Sequence, residues 1–197
     1  MAEAGAPRRL SREARREQLV AAALPIVARQ GFTEFSLDEV AARAGVTRNL
    51  LYHYFPRGRP DLALAVFRLA ERQLAANWLF DRAVPLPDRV AANFARIADH
   101  ALTPTHAWQV HRMSRAATEP ELREEVSRFF EAAVSAIATN QFGTPDPPPI
   151  ARLALKGYLA FAETVLDEAR IADLPREQVM AFLTATLAAT ADAARGG

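Results

Sequence analysis

Residues 36–54 read SLDEVAARAGVTRNLLYHY, and this stretch decides how the chain is expected to fold. Ser36 and Glu39 have the spacing of a capping box, in which the serine hydroxyl accepts from the Glu39 amide and the carboxylate reaches back. The short helix that follows is predicted to end near Gly45, and Thr47 can cap a second helix that runs to the end of the stretch. Two short helices joined by such a glycine-containing turn form a helix-turn-helix.

The segments on both sides of this motif are also predicted to be helical. Upstream, apolar residues recur at intervals of three and four from Ser11 to Gln30, and Gly31 then stops the helix. Downstream, Pro60 opens a helix that is predicted to reach about residue 79. Further helices are predicted at 88–102, 105–117, 119–140, 149–171 and 175–194, with a proline-rich loop at 143–149. The chain is therefore expected to be all-α, with about nine helices.

Charge is distributed unevenly along the 197 residues. Residues 1–59 hold ten arginines against six acidic residues, whereas the remainder holds 14 basic and 17 acidic residues. A basic head on a mildly acidic body indicates a nucleic-acid contact confined to one end of the molecule. An ordinary solvated basic helix is the alternative reading of the same charges.

Several classes of protein are disfavoured by what the sequence lacks. The absence of cysteine excludes a disulfide framework, a thiolate metal site and cysteine catalysis. No apolar run approaches the roughly 20 residues of a membrane span, and the N-terminus has no apolar core of the signal-peptide type. A cytoplasmic location is expected.

No constellation of an enzyme or a cofactor site is recognisable. There is no glycine-rich phosphate loop, and the adjacent carboxylates Glu124-Glu125 and Asp167-Glu168 are expected to be solvated or helix-terminal. The histidines at 100, 106 and 111 lack the i, i+4 spacing of paired metal ligands. We therefore predict no enzymatic activity, no metal and no cofactor. A helical enzyme and a helical scaffold without DNA binding remain the rival functions.

The wider stretch from about residue 12 to residue 67 resembles the head of TetR-family (tetracycline-repressor-like) transcription regulators in the order and spacing of its motifs. The matching motifs are QLVAAAL at 18–24, GF at 31–32, SL at 36–37, VAARAGV at 40–46, LYHYFP at 51–56 and DL at 61–62. The resemblance covers a third of the chain. It implies a DNA-binding domain at 10–58 and an effector-binding and dimerisation domain at 59–194.

The resemblance also assigns DNA contacts. It implies a phosphate contact for Ser36, contacts with the floor of the major groove for Thr47, Arg48, Asn49 and Leu50, contacts with the backbone or flanking bases for Tyr52, His53 and Tyr54, and a phosphate contact for Arg57 or Arg59. Arg48 could bind a guanine, Asn49 an adenine and Leu50 a thymine methyl group.

This sequence departs from the usual pattern of that head at three places. Asn49 and Leu50 are larger than the residues common there, and the Arg57–Pro60 segment is about one residue longer. Which of the two arginines meets phosphate therefore stays open. Leu50 could instead be a buried spacer, and Tyr52 and Phe55 could instead be core residues.

The body is expected to hold an effector pocket, as the resemblance implies. Aromatic, histidine and other large apolar residues could line it; they are Trp78, Phe94, Ile97, His100, Trp108, His111, Met113, Phe130 and Phe161. Ordinary core packing is the alternative for each. The effector is expected to be small and largely apolar, with polar groups met by His111, Arg112 or Glu163.

The last two helices are predicted to form the surface of a homodimer. The helix at 149–171 is apolar on nearly every side and must be buried, although packing within one chain would also bury it. The predicted interface residues are Leu155, Tyr158, Leu159, Ala162, Leu166, Val179, Phe182, Leu183, Thr186, Leu187 and Thr190. The resemblance then implies a homodimer on a palindromic stretch of double-stranded operator DNA, with repression favoured over activation.

Overall fold

The computed structural model describes residues 10–76, 83–103 and 105–196, and helices dominate all three segments. The helices are α1 (Arg12–Gln30), α2 (Leu37–Ala44), α3 (Arg48–Tyr54), α4 (Arg59–Ala75), α5 (Leu86–Leu102), α6 (His106–Ser114), α7 (Pro120–Phe142), α8 (Pro149–Ile171) and α9 (Arg176–Arg195). No strand occurs in these segments. The all-α prediction and the number of helices are confirmed.

Side-chain caps fix where the helices of the head begin. The Ser36 hydroxyl accepts from the Glu39 amide at 3.2 Å, and the Thr47 hydroxyl accepts from the Leu50 amide at 3.3 Å. The predicted return bond from Glu39 is wrong. The Ser36 amide donates instead to the Gln30 side chain at 2.8 Å, while the Glu39 carboxylate binds Arg29 and Gln30. The start of α2 is thereby tied to the end of α1.

The turn between α2 and α3 depends on one left-handed residue. Gly45 has φ of +66°, which a residue without a Cβ adopts without strain. The Gln18 side chain donates to the Ala44 carbonyl at 3.1 Å, so α1 also holds the end of α2. Leu51 of α3 is fully buried and anchors that helix to the head.

The helices α4 and α6 join the head to the body. The head helix α1 packs against both α4 and α6, and α4 also packs against α6 and α7. The body is completed by the α8–α9 pair, with α5 packed on both of them. The division into domains at residue 58 stays a prediction, because α4 begins just after that residue and packs against helices of both the head and the body.

Most predicted helix ends are close to the observed ones, with one clear difference. The helix predicted at 105–117 ends at Ser114, and α4 is described only to Ala75. Its predicted extension to residue 79 lies outside the described residues. Among the helices that the structure describes, none is long and apolar enough to cross a membrane.

Candidate nucleic-acid interface and effector cavity

The first turn of α3 faces outward. Thr47, Arg48 and Asn49 are exposed, Leu50 is half-buried, and Leu51 packs inward. A recognition helix reads base edges in the major groove with residues of its N-terminal turn. The exposed first turn therefore has the arrangement that base reading requires.

Arg48 is held in place by two neighbours. Its Nη1 donates to both Asp38 carboxylate oxygens at 2.8 and 3.0 Å. Its guanidinium carbon lies 5.8 Å from the centre of the Tyr52 ring, and Nη2 lies 3.5 Å from the Tyr52 hydroxyl. These contacts with Tyr52 and the charge of Asp38 raise the pKa of Arg48. Sequence reasoning missed Asp38, although its place in the first turn of α2 was known.

The aromatic residues at the end of α3 have different environments. Tyr52 is exposed, which favours the surface role over the core role that the sequence left open. His53 is also exposed and packs edge-to-face on the half-buried Tyr54, with ring centres 5.3 Å apart. Phe55 is fully buried and is a core residue.

Both candidate phosphate arginines have partners within the chain. The Arg57 backbone amide and Nε donate to the two Asp61 carboxylate oxygens at 2.9 and 2.7 Å, and its Nη atoms donate to the Glu121 carboxylate at 2.6 Å each. Arg59 donates through Nε to the Phe35 carbonyl at 2.8 Å. A phosphate contact by Arg57 would therefore require its bonds to the body helix α7 to break.

Gly58 makes the tight turn between these two arginines. Its φ is +68°, and a Cβ placed on it would lie 3.0 Å from Cε1 of Tyr52. This position is therefore one that only glycine fills without strain.

A cavity of about 110 Å³ lies inside the body, between α5, α6, α7 and α8. Five of the predicted ligand residues line it, namely Phe94, Ile97, Trp108, His111 and Phe130. His100, Met113 and Phe161 do not line this cavity, and Trp78 lies outside the described residues. Phe161 instead points outward from α8, with 39% of its surface exposed.

The cavity is also lined by three amide residues that the sequence did not indicate, namely Asn93, Asn140 and Gln141. They were not predicted because aromatic, histidine and large apolar residues alone were considered as ligand contacts. Of the three predicted polar partners, His111 and Glu163 line the cavity, whereas Arg112 does not.

A buried ionic cluster closes one end of the cavity. His111 bridges two carboxylates: Nδ1 lies 3.0 Å from Glu71 Oε1, and Nε2 lies 3.3 Å from Glu163 Oε1. The Glu163 carboxylate also accepts from Arg112 at 2.5 Å and from two nitrogens of Arg115 at 2.9 Å each. Glu163 therefore accepts four contacts, which is the full capacity of a carboxylate.

Burial and pairing compete in setting the charges of this cluster. Burial opposes the charged imidazole, but hydrogen bonds to Glu163 and Glu71 outweigh it and raise the pKa of His111 to about 9. Burial likewise opposes ionised Glu163, but His111 and Arg115 lower its pKa to about 2. Burial raises the pKa of Glu71, whose Oε2 has no hydrogen-bond partner among the described residues.

Two carboxylates predicted to be solvated or helix-terminal are structural instead. Asp167 accepts from the Trp108 indole at 3.1 Å and from Arg112 at 2.6 Å. Glu125 binds Arg68 at 2.7 Å. These three partners are 55 to 59 residues away in sequence, so the adjacent acids alone could not reveal the pairs. Glu124 and Glu168 are exposed, as expected.

Most of the predicted dimer residues fill the core of one chain. The predicted interface residues that are already buried within one chain are Leu155, Tyr158, Ala162, Leu166, Val179, Leu183 and Leu187. Leu159 is half-buried and lines the cavity. Thr186 and Thr190 are half-buried, and each hydroxyl donates to a carbonyl four residues earlier in α9. Only Phe182 of the predicted set is exposed, at 50%.

A different face of the α8–α9 pair is available to a partner. Leu153 is 65% exposed, and Ile150, Phe161 and Phe182 are also exposed. The rings of Phe161 and Phe182 lie 5.9 Å apart, so exposed aromatic side chains of the two helices meet at this surface. We call these four residues the α8–α9 patch.

The protein combines a capped N-terminal helix-turn-helix with a helical body that holds an internal cavity. Residues 19–66 match the model of the family described as bacterial regulatory proteins, tetR family. This match and the likeness of the whole fold described next support a TetR-family transcriptional regulator.

Solved structures resemble the chain over nearly its whole length. A TetR-family transcriptional regulator from Streptomyces coelicolor is 26% identical, with a TM-score of 0.79 over 95% of this chain and 84% of that chain. A TetR-like regulator from Rhodococcus sp. RHA1 is 19% identical, with a TM-score of 0.66 over 91% and 96%. The multidrug binding protein EbrR, complexed with imidazole, is 23% identical, with a TM-score of 0.63 over 93% and 96%. No curated protein matches the chain.

Proposed function

We propose that this protein is a ligand-responsive repressor, which binds a near-palindromic operator as a homodimer and leaves it when a small, largely apolar molecule fills the cavity. The observation that carries the proposal is that one helix, α7, both lines the cavity and holds the DNA-binding head. We further propose that the protein acts in the cytoplasm and has no enzymatic role, as is typical of regulators of its family.

The DNA-binding half of the proposal rests on α3. Arg48 is exposed, fixed by Asp38 and able to place two donors on a guanine, while the adjacent Asn49 can pair with an adenine. Ser36 and Thr47 keep their capping roles; in the proposed complex Ser36 contacts a phosphate and Thr47 faces the floor of the major groove. Tyr52 and His53 add polar groups on the exposed side of the helix for phosphate or flanking bases.

The proposed dimer rests on the α8–α9 patch. Large apolar side chains gathered on one exposed face indicate an interaction surface. A twofold dimer would present two copies of α3 to successive major grooves, about 34–36 Å apart, which requires a near-palindromic site.

The proposed response to a ligand rests on α7. Its first two turns carry Glu121 and Glu125, which bind Arg57 and Arg68 of the α3–α4 region. One to two turns beyond Glu125, Phe129, Phe130 and Ala133 line the cavity. A ligand that moves α7 would therefore move the groups that set the position of α3. Such a ligand acts only if it prefers one of the two arrangements. The name of the multidrug binding protein EbrR supports a body of this fold as a ligand site.

Selection from a pool of random DNA duplexes tests the DNA-binding half. The protein should enrich near-palindromic sequences, and raising salt should weaken the enriched complex steeply. Arg48→Ala is the matched control and should lose the preference at one guanine in each half-site. Recovery of no preferred sequence by the unmodified protein would contradict the proposal and would favour a helical scaffold.

A further inference from the structure

We infer that the cavity selects an uncharged amphiphile, with its apolar body between α5, α7 and α8 and one hydroxyl or carbonyl group at the Asn140–Gln141 end. This inference rests on the proposed function in taking the cavity as the effector site. It adds that the effector carries no charge and that its polar group lies at the Asn140–Gln141 end of the cavity.

The first step is that the charged groups lining the cavity have no capacity left for a ligand. All four acceptor positions of the Glu163 carboxylate are occupied, and both ring nitrogens of His111 have carboxylate partners. The Trp108 indole nitrogen donates to Asp167, and the Tyr158 hydroxyl donates to the Leu183 carbonyl at 2.6 Å. An ionic ligand would be buried here without a free counter-charge, which is costly.

The second step is that free polar groups lie at the other end. The side chains of Asn140 and Gln141 line the cavity and make no hydrogen bond with any described residue. Each primary amide offers both donors and an acceptor, so the pair suits a hydroxyl or a carbonyl group. An amide attracts neither a cation nor an anion as strongly as an opposite charge would.

The third step is that the two ends are well separated. Phe130 packs against the charged end, with its ring centre 5.4 Å from that of His111. Ten residues of α7 separate Phe130 from Asn140, and a helix rises about 1.5 Å per residue, so the polar ends are about 15 Å apart along α7. The wall between them is apolar and includes the small side chains of Ala133 and Ala136. This geometry suits a molecule with an extended apolar body and a single polar end.

The test uses one neutral fluorophore and three competitors that share an alkyl chain. N-phenyl-1-naphthylamine is bound to the protein without DNA and displaced at neutral pH by 1-octanol, octanoate or octylammonium. We expect 1-octanol to displace it at concentrations at least about tenfold lower than either ion, because each ion would lose its hydration without gaining a partner. Equal or better displacement by an ion would overturn the inference.

Variants of the two amides locate the polar end. Asn140→Leu and Gln141→Leu should each raise the displacing concentration of 1-octanol about three- to tenfold, the usual effect of one lost hydrogen bond. Gln109→Leu changes an exposed glutamine of α6 outside the cavity and should have no effect. Unchanged displacement in both amide variants would overturn the assignment of the polar end.

A third variant should change the selectivity rather than abolish it. Arg115 provides two of the four contacts with Glu163, and its guanidinium lies 3.9 Å from the centre of the Phe130 ring. Arg115→Met keeps an apolar side chain over that ring but frees the carboxylate. Octylammonium should then gain at least about threefold over 1-octanol. Unchanged selectivity would overturn the argument from charge balance.

These outcomes are separable from failure of the proposed function. Loss of DNA selectivity would refute the regulator while leaving the fluorophore titrations intact. Preference for an ion would refute the uncharged ligand while leaving DNA binding intact. If N-phenyl-1-naphthylamine does not bind at all, the cavity is not a site for neutral amphiphiles. This inference then fails together with the proposal that a small apolar molecule in the cavity controls DNA binding.

Discussion

The guanidinium of Arg57 and the carboxylate of Glu121 form a two-bond ion pair across the boundary between head and body, with both bonds 2.6 Å long. Arg57 lies three residues after the recognition helix, and Glu121 lies in the first turn of α7. Both side chains are more than half exposed, so water screens the pair and its contribution to stability is small. A weak link at this position is suited to being broken and remade.

Neutralising Glu121 should uncouple the cavity from the DNA-binding head. In Glu121→Gln the charged pair is lost, while Asp61 still holds Arg57, so DNA affinity without ligand should change little. The factor by which 1-octanol weakens DNA binding should fall at least about threefold. Fluorescence anisotropy of labelled DNA, with and without 1-octanol, measures that factor. Glu124→Gln removes an exposed carboxylate of the same helix and should leave the factor unchanged; an equal effect of both variants would refute the role of the pair.

Removing the support of Arg48 should reduce its base discrimination. Asp38→Asn keeps the size of the side chain but loses the charge that orients the guanidinium. We expect preference for guanine over other bases at the contacted position to fall about tenfold in Arg48→Ala and by a smaller factor in Asp38→Asn. Binding of both variants to duplexes that differ at that one base pair measures this. Undiminished discrimination in Arg48→Ala would show that another residue reads the base.

Dimerisation should depend on the α8–α9 patch and not on the buried α9 residues. Phe182→Glu places a charge on the exposed patch and should give a folded monomer by analytical ultracentrifugation. Gln73→Glu, on an exposed position of α4, is the control and should remain dimeric. Leu183→Ala should instead lower the free energy of unfolding by about 2–5 kcal/mol, because its side chain is fully enclosed within one chain. A dimeric Phe182→Glu protein would exclude this patch as the interface.

The pH dependence of stability should report the charged histidine in the body. The pKa of His111 is raised from 6.5 to about 9, so its stabilising effect is fully present below about pH 6.5 and is lost as pH rises through about 9. The corresponding loss is ~3 kcal/mol. Urea unfolding between pH 6 and pH 10 should show this decline in the unmodified protein and a flatter profile in His111→Gln. Since Glu71, Glu163, Arg112 and Arg115 face this position in both proteins, the difference isolates the imidazole. Parallel profiles would refute a protonated His111.

Local features were predictable from the sequence because they depend on near neighbours. Ser36, Gly45 and Thr47 fix the helix-turn-helix through bonds that span three or four residues, and all three act as expected. The wrong part of the capping box shows the limit of this reasoning. Glu39 had a better partner in Arg29, on the neighbouring helix, than in its own helix end.

Features that depend on distant contacts could not be predicted. Arg57 and Glu121 are 64 residues apart, and His111 is 40 residues from Glu71 and 52 from Glu163. Which residues of the last two helices are buried within one chain could not be predicted for a related reason. A helix that is apolar on nearly every side gives no indication of which side faces its own chain, so Leu183 and Phe182 could be distinguished only in the folded structure.

A single linkage experiment tests the central claim that one molecule couples the cavity to DNA binding. The affinity of the unmodified protein for N-phenyl-1-naphthylamine is titrated twice, without DNA and with a saturating amount of a duplex recovered by selection. Thermodynamic reciprocity requires DNA to weaken ligand binding by the factor by which the ligand weakens DNA binding. We predict weaker binding of the fluorophore in the presence of the duplex, by that same factor. Identical affinities in the two titrations would contradict the account, because a ligand that binds both states equally cannot shift the equilibrium between them.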